Sequence, residues 1–180
     1  MPNLHFRFIS KADITPGLDH EIHKLDKLAF ADDDIDNDPD FAGIQWASPD
    51  WMVLGDLNGE LVTQLGVPKR EILVGSQKFW TAGIGGMATH PGYWHKGYGT
   101  ALLRATESFM RDELQVPFGL LICSGETQPF YQLSRWQRVA DILYFTQDNV
   151  QRPLPACVMI LQLTDQPWLT GEIDLCGLPW

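Results

Sequence analysis

Cysteine is scarce in this chain: Cys123, Cys157 and Cys176 are the only three in 180 residues, with no C-x-x-C pair and no Cys/His cluster. Such spacing excludes a disulfide framework of the small secreted kind and indicates no metal site. Positive charge is scarce too. Thirteen Lys and Arg stand against 23 Asp and Glu, for a net charge of −10 and a pI near 4.7. Nucleic-acid binding needs clustered cations against phosphates, so this balance argues against it and favours a cationic small molecule as partner. Long apolar runs are missing: nothing approaches the roughly 20 residues of a membrane helix. Met1-Pro-Asn-Leu-His-Phe-Arg lacks a signal-peptide apolar segment. The expectation is a cytoplasmic protein with no membrane partner. Without a repeat, low-complexity tract or linker, residues 1–180 are expected to form a single domain.

What is present reads as alternating strands and helices. Leu4 to Ile9 reads as a first strand. Leu18, Ile22, Leu25, Leu28 and Ala29 recur at helical spacing, which predicts a helix over 18–31. Trp51 to Leu57 and Glu60 to Val67 flank Asn58-Gly59, a strong hairpin signal. Glu71 to Val74 and Phe79 to His90 extend the sheet around Gly75-Ser76. A helix after Gly99 places Leu102, Leu103, Thr106, Phe109 and Met110 on one side. Phe118 to Cys123 reads as a buried strand and Gln128 to Arg135 as a short helix. Val139 to Phe145 and Cys157 to Leu163 read as late strands, with Pro153 and Pro155 punctuating the link.

The most informative stretch runs from Gly83 to Leu103: an apolar strand, Pro91, a short loop with Gly97-Tyr98-Gly99, then a helix. A helix N-terminus carries four unpaired N–H donors and a positive dipole end, which suits a phosphate or pyrophosphate. Two other glycine readings fail. Gly83-Ile-Gly85-Gly-Met-Ala88 has dinucleotide-fold spacing, but Pro91 follows at once and disfavours helical geometry at His90. Gly92 to Gly97 has P-loop spacing, but Tyr98 stands in place of the phosphate-binding Lys and Gly99 in place of the Ser or Thr.

Pro91, Lys96, Gly97-Tyr98-Gly99 and Thr100-Ala-Leu-Leu resemble the acetyl-CoA signature of the GNAT N-acyltransferase superfamily. The resemblance implies an α/β (α+β) fold with a central mixed, mostly antiparallel sheet flanked by helices. It implies acetyl-CoA, or another acyl-CoA, held by Trp94, His95, Lys96, Gly97, Tyr98, Gly99 and Thr100, with Met87, Ala88 and Thr89 beside the pantetheine arm. Trp94 departs from the family's usual Arg or Gln. Gln128-Pro-Phe130-Tyr131-Gln-Leu133-Ser-Arg-Trp136 resembles the family's late helix, with Arg135 where Gly is usual and Tyr131 in the place of the general acid. A phenol with a pKa near 10 can donate to a leaving thiolate without itself ionising. A second reading makes Tyr131 a core aromatic.

The C-terminal run from Asp165 to Trp180 is similar to the tails of aminoglycoside 2'-N-acetyltransferases and nodulation acyltransferases. The first branch ends in a Trp whose terminal carboxylate lines the acceptor site, which points to Trp180. Gly85 stands where that branch carries a strand Glu. An amine acceptor must lose a proton before or during attack, so acids are expected around it. The candidates are Asp32, Asp33, Asp34 and Asp40 of an Asp-rich segment, and Glu172 and Asp174 in the tail. A solvated acidic loop is the alternative for the first group. A calcium loop is excluded by Asn37 at its sixth position and Gly43 at its twelfth. Gly83, Gly85 and Gly86 weaken a strand, and close approach of a bulky ligand would explain them. The resulting expectation is an acyl-CoA-dependent N-acetyltransferase acting on a small-molecule amine, with aminoglycoside-like and polyamine-like acceptors foremost. A non-catalytic acyl-CoA-binding module and a longer-chain acyltransferase are the alternatives. Superfamily members often dimerise, so a homodimer is the oligomeric state the resemblance raises.

Overall fold

A computed structural model describes residues 4–31 and 41–180. The Asp-rich candidates Asp32, Asp33, Asp34 and Asp40 lie outside the described residues. The strands are β1 Leu4–Ser10, β2 Trp51–Leu57, β3 Glu60–Val67, β4 Lys69–Val74, β5 Gln77–Thr89, β6 Phe118–Cys123, β7 Gln137–Val139, β8 Leu143–Gln147, β9 Val150–Leu154, β10 Cys157–Gln162 and β11 Ile173–Asp174. The helices are α1 Pro16–Ala29, α2 Tyr98–Asp112 and α3 Gln128–Gln132. No helix among the described residues is long and apolar enough to cross a membrane.

The sheet is mixed and mostly antiparallel, as expected. Its main path runs β1-β2-β3-β5-β4-β11-β8-β9, and β6, β10 and β7 branch from β5. Asn58-Gly59 makes the β2–β3 turn with both residues at positive φ, the geometry for which Asn-Gly is selected. The two faces are covered separately. Met52 and Leu54 of β2 pack with Ile22 of α1, whereas Val53 packs with Leu102, Leu103 and Met110 of α2. This alternation is the period of two expected of a strand buried on both faces. Thr15 caps α1, accepting from Leu18 N–H at 3.3 Å, and Pro16 opens it at a position where no donor is lost.

The expected strand Val139 to Phe145 is broken. Residues 137–139 pair with β10, and residues 143–147 pair with β9 and β11. The intervening Ala140-Asp141-Ile142 carries the chain from one arm of the sheet to the other. β9 was not expected, since Pro153 within it reads as a loop signal. The strand pairs only with β8 among the described strands, and an edge strand tolerates proline. Asp148 and Asn149, both at positive φ, form its tight turn. The late helix is shorter than expected, ending at Gln132.

Of the near-consecutive glycines, Gly83 and Gly85 do not leave room for a ligand. A Cβ at Gly83 would stand 2.1 Å from Trp180 Nε1, and one at Gly85 would stand 3.0 Å from the Trp180 carboxyl carbon. The chain's own tail occupies that space. Gly86, at φ +56, absorbs the register shift between β3 and β5. Gly83→Ala is expected to cost about 1–3 kcal/mol, because a rigid indole must move. Denaturant unfolding would measure it, and an unchanged midpoint would show that the tail is not docked here.

Candidate functional site

β5 and β6 run parallel and pair only from Thr81↔Phe118 to Ile84↔Leu121. Beyond that point β5 continues to Thr89 and β6 to Cys123 without pairing to each other. The backbone of residues 85–89 is therefore free of a β6 partner. Its other edge pairs with β3 as far as Thr63↔Thr89. Thr63 Oγ1 donates to Ala88 O at 2.9 Å and contacts Thr89 Oγ1 at 2.9 Å. This strengthens the β3 side and leaves the opening on the β6 side.

The loop after β5 leads into α2. Gly97 occupies the position before the helix at φ +82, and no side chain caps the helix start. Left-handed geometry there costs a glycine nothing. The first-turn N–H groups of Tyr98, Gly99 and Thr100 thus lack a side-chain acceptor. Gly99 lets this end of α2 approach β5 and α3. A Cβ there would lie 3.3 Å from both Met87 Cε and Thr89 Oγ1, and 3.6 Å from Phe130 Cζ. His95 also takes positive φ and is exposed. Lys96 donates to Gly92 O at 2.8 Å, with its ammonium 4.9 Å from the centre of the Tyr93 ring. Trp94, the departure from the family pattern, donates its indole N–H to Thr89 O at 2.7 Å. It closes the loop onto the strand end and contributes no charge.

On the α2 face of the opening lie Met87, Cys123, Phe130 and Tyr131, all packed against one cluster with Leu102 and Trp136. Tyr131 touches Phe130 edge to face, with centroids 5.0 Å apart. Burial first, and the neighbouring Cys123 second, hold its phenol well above the ordinary value of 10.0. Arg135, in the place of the usual Gly, has φ +68. That geometry explains why glycine suits the position. The Arg135 guanidinium lies 3.7 Å from Glu107 Oε2, and Trp136 Nε1 donates to Glu107 Oε1 at 3.1 Å.

On the opposite face lies Trp180. Its indole donates to Leu120 O at 3.2 Å, and its carboxyl carbon lies beside Gly85, the first β5 residue past the paired stretch. Ala47 N–H donates to Pro179 O at 2.6 Å, which brings residues 44–47 alongside the tail. Phe41 and Trp46 pack there with tilted rings, centroids 6.1 Å apart. Arg70, which sequence reasoning missed, holds the tail in place. Its Nη1 donates to Leu178 O at 2.8 Å and Leu175 O at 3.3 Å, and its guanidinium lies 5.4 Å from the Trp180 ring centre. Burial lowers its pKa from 12.5. No sequence signal marks Arg70, because its contacts are with residues more than a hundred positions away.

The structure therefore brings Met87, Ala88, Thr89, Gly97, Tyr98, Gly99, Thr100, Tyr131, Gly85 and Trp180 to one opening. Glu172 and Asp174 are not part of it. Asp174 pairs with Leu73, whose β5 partner is Lys78. Lys78 is seven residues before Gly85, about 23 Å along a strand at roughly 3.3 Å per residue. The Asp174 carboxylate is engaged by Gln151 Nε2 at 2.9 Å and Cys176 N–H at 2.8 Å. Asp174 lies on β11, between β4 and β8, and the exposed Glu172 immediately precedes it, both far from the opening along the sheet, which the alternation of polar and apolar residues in the tail could not distinguish.

Against known proteins, the family profile described as "Acetyltransferase (GNAT) domain" matches residues 13–137, more than half of the chain. No curated protein matches the sequence. Among solved structures, a Lactobacillus plantarum protein superposes with a TM-score of 0.63 at 19% identity, covering 89% of this chain and 99% of its own. Escherichia coli ElaA gives a TM-score of 0.59 at 16% identity, with 88% and 99% covered. A GNAT family acetyltransferase from Brucella melitensis, solved in complex with acetyl-CoA, gives 0.59 at 14% identity, with 96% of each chain covered. At these identities the likeness establishes the fold. None of these matches singles out the aminoglycoside or nodulation branch.

The raised phenol predicts a pH dependence. Ionised Tyr131 is disfavoured in the folded state, so its contribution to stability is complete below pH 10.0 and falls as pH rises towards the folded-state value. Tyr131→Phe should lose less stability than wild type between neutral pH and pH 11. Equal slopes in denaturant titrations would show that the hydroxyl is solvated.

Proposed function

The chain belongs to the GNAT acetyltransferase family, and from that premise we propose that it transfers acetyl from acetyl-CoA to a primary amine of a small cationic acceptor, of the aminoglycoside or polyamine kind, by direct attack. The observation that carries this reading is a single opening. There β5 and β6 part, an uncapped helix N-terminus faces one end, and the Tyr131 phenol and the Trp180 carboxyl group stand on opposite faces. The free N–H groups of Tyr98, Gly99 and Thr100 suit a pyrophosphate. The unpaired β5 edge from Gly85 to Thr89 suits the amide-bearing pantetheine arm, whose groups can replace the missing strand partner. The residues present thus fit acyl-CoA, which would supply an activated thioester at the opening.

The chemistry then divides between the two faces. In the 180-residue chain the Trp180 carboxylate stands where Gly85 offers no side chain. It would hold the acceptor's cation and take its proton, directly or through water, as the amine attacks. Phe41 and Trp46 would wall the acceptor, and a charge-bearing amine gains from an aromatic face. Tyr131, protonated across the working pH range, would donate to the departing thiolate sulfur. A general acid of this kind contributes roughly 10²–10⁴-fold.

Calorimetric titration with acetyl-CoA tests the cofactor site. Micromolar binding is expected in wild type, with loss in Gly97→Glu or Gly99→Glu, which place a carboxylate where the pyrophosphate would sit. Absence of binding in wild type at near-millimolar acetyl-CoA would sink the proposal. For the chemical step, Tyr131→Phe should lower kcat on the best amine by roughly 100-fold with little change in KM for acetyl-CoA. An unaltered kcat would remove Tyr131 from the mechanism. Tight binding without turnover of aminoglycosides, polyamines or a wider amine panel would instead identify an acyl-CoA-binding module.

A further inference from the structure

The three cysteines are free, and two of them face each other. Cys123 ends β6 and Cys157 opens β10, and they are direct cross-strand partners, the first pair of that antiparallel ladder. Both are partly buried and pack on the α2 face with Tyr131 and Phe130. Cys157 Sγ contacts Gln128 Oε1 at 3.5 Å. Together with Gln128, Gly125, Ala156 and Pro155 it lines a cavity of about 760 Å³. Cys123 is not among the residues lining that cavity. We propose that Cys123 and Cys157 form a modification site: a dithiol that closes to a cross-strand disulfide on reaction with a small-molecule disulfide of the glutathione class.

The geometry supports both steps. Opposed cross-strand Cβ atoms lie roughly 4.5–5.5 Å apart, and a disulfide needs about 3.5–4.5 Å. Closing that gap is cheap only at the end of a ladder, where no further paired residue must follow, and this pair is the last residue of one strand and the first of the other. The cavity defines the order of attack. Cys157, reachable from it, attacks the reagent disulfide as thiolate, forming a mixed disulfide and releasing one small thiol. Cys123 then attacks the Cys157 sulfur and releases the second. Two protein thiols and one reagent disulfide thus become one protein disulfide and two reagent thiols, with both protons passing to the departing thiolates.

In the reduced protein burial, then the charge of Cys157 and its hydrogen bond, push the Cys123 thiol up to about 12, partly opposed by Thr127. Capping Cys157 removes the second and third of those causes, so Cys123 becomes a better nucleophile when it is needed. The second step is also intramolecular and gains a large effective concentration. The consequence falls on the reaction proposed above, on which this part rests. Cys123 neighbours the Tyr131 hydroxyl and forms the end of the β6 wall, so drawing it towards Cys157 alters the environment of the general acid.

The test uses the full chain carrying Cys176→Ser, which removes the exposed third thiol. After equilibration with oxidised glutathione, intact mass and thiol titration should show a monomer lighter by two hydrogens, with both thiols lost and both restored by reductant. Adding Cys123→Ser should leave a stable glutathionyl adduct on Cys157, and adding Cys157→Ser should leave Cys123 unmodified. Retention of two free thiols, or adducts accumulating on Cys123 instead, would overturn the proposal. In the same samples the oxidised form should turn over acetyl-CoA at least ~5-fold more slowly, reversibly. If the reduced protein neither binds nor turns over acetyl-CoA, the functional reading fails while the thiol measurements still decide the disulfide.

Discussion

The parting of two parallel strands is the constraint on which the rest depends. β5 and β6 share only four register pairs, ending at Ile84↔Leu121. Backbone polar groups that lose a partner must find another or face solvent. Past the last pair, the β5 edge is open to a ligand. The β3 side of the same strand is reinforced by Thr63, and α2 is seated beneath by Gly99 against Met87 and Thr89. A helix start without a side-chain cap is thereby placed at the end of an unpaired strand edge. Neither feature alone would distinguish a cofactor site from a turn.

The tail is the second structural commitment. From β11 it runs beside β4 and reaches the opening with Trp180 flat against Gly83. Arg70 is half-buried, and its described hydrogen bonds go to carbonyl oxygens of this tail. A half-buried cation is costly unless its donors are satisfied, and the charge of Asp50 offsets part of the desolvation of Arg70. Here two carbonyls and an indole face share that role. The same contacts hold the last residue at the strand junction. Stability of the tail and composition of the site are therefore one problem, solved by two glycines, one arginine and one tryptophan.

Polar burial on the other face follows the same rule. Glu107 is buried on α2 and its carboxyl is raised by desolvation, against the opposing pull of Trp136 and Arg135. Trp136 in turn needs Gly119, where a Cβ would stand 2.8 Å from its ring. Arg135 accepts a left-handed backbone while staying within reach of Glu107. The departure from glycine at this position thus retains the backbone geometry and adds a charge partner for the buried acid.

Local chemistry was enough to read the hairpin at Asn58-Gly59, the two long helices, β6 and the Gly97-Tyr98-Gly99 turn, because each depends on residues adjacent in sequence. The loop proposed to hold the cofactor reads as a unit in the sequence for the same reason. Its donors belong to one short stretch whose order of strand, proline, glycines and helix is itself the signal. The rest was decided by the tertiary structure. The break at Ala140–Ile142 and the edge strand carrying Pro153 depend on which strands stand alongside. The glycines at 83 and 85 read equally well as space for a ligand or for another part of the chain, and only packing shows that the occupant is Trp180. Glu172 and Asp174 share the tail with Trp180 but lie far from the opening along the sheet, since a strand separates residues by about 3.3 Å each. Arg70 and the Cys123–Cys157 pair had no sequence signal, because contacts between distant residues arise from strand register, and register is set by the pairing of whole strands.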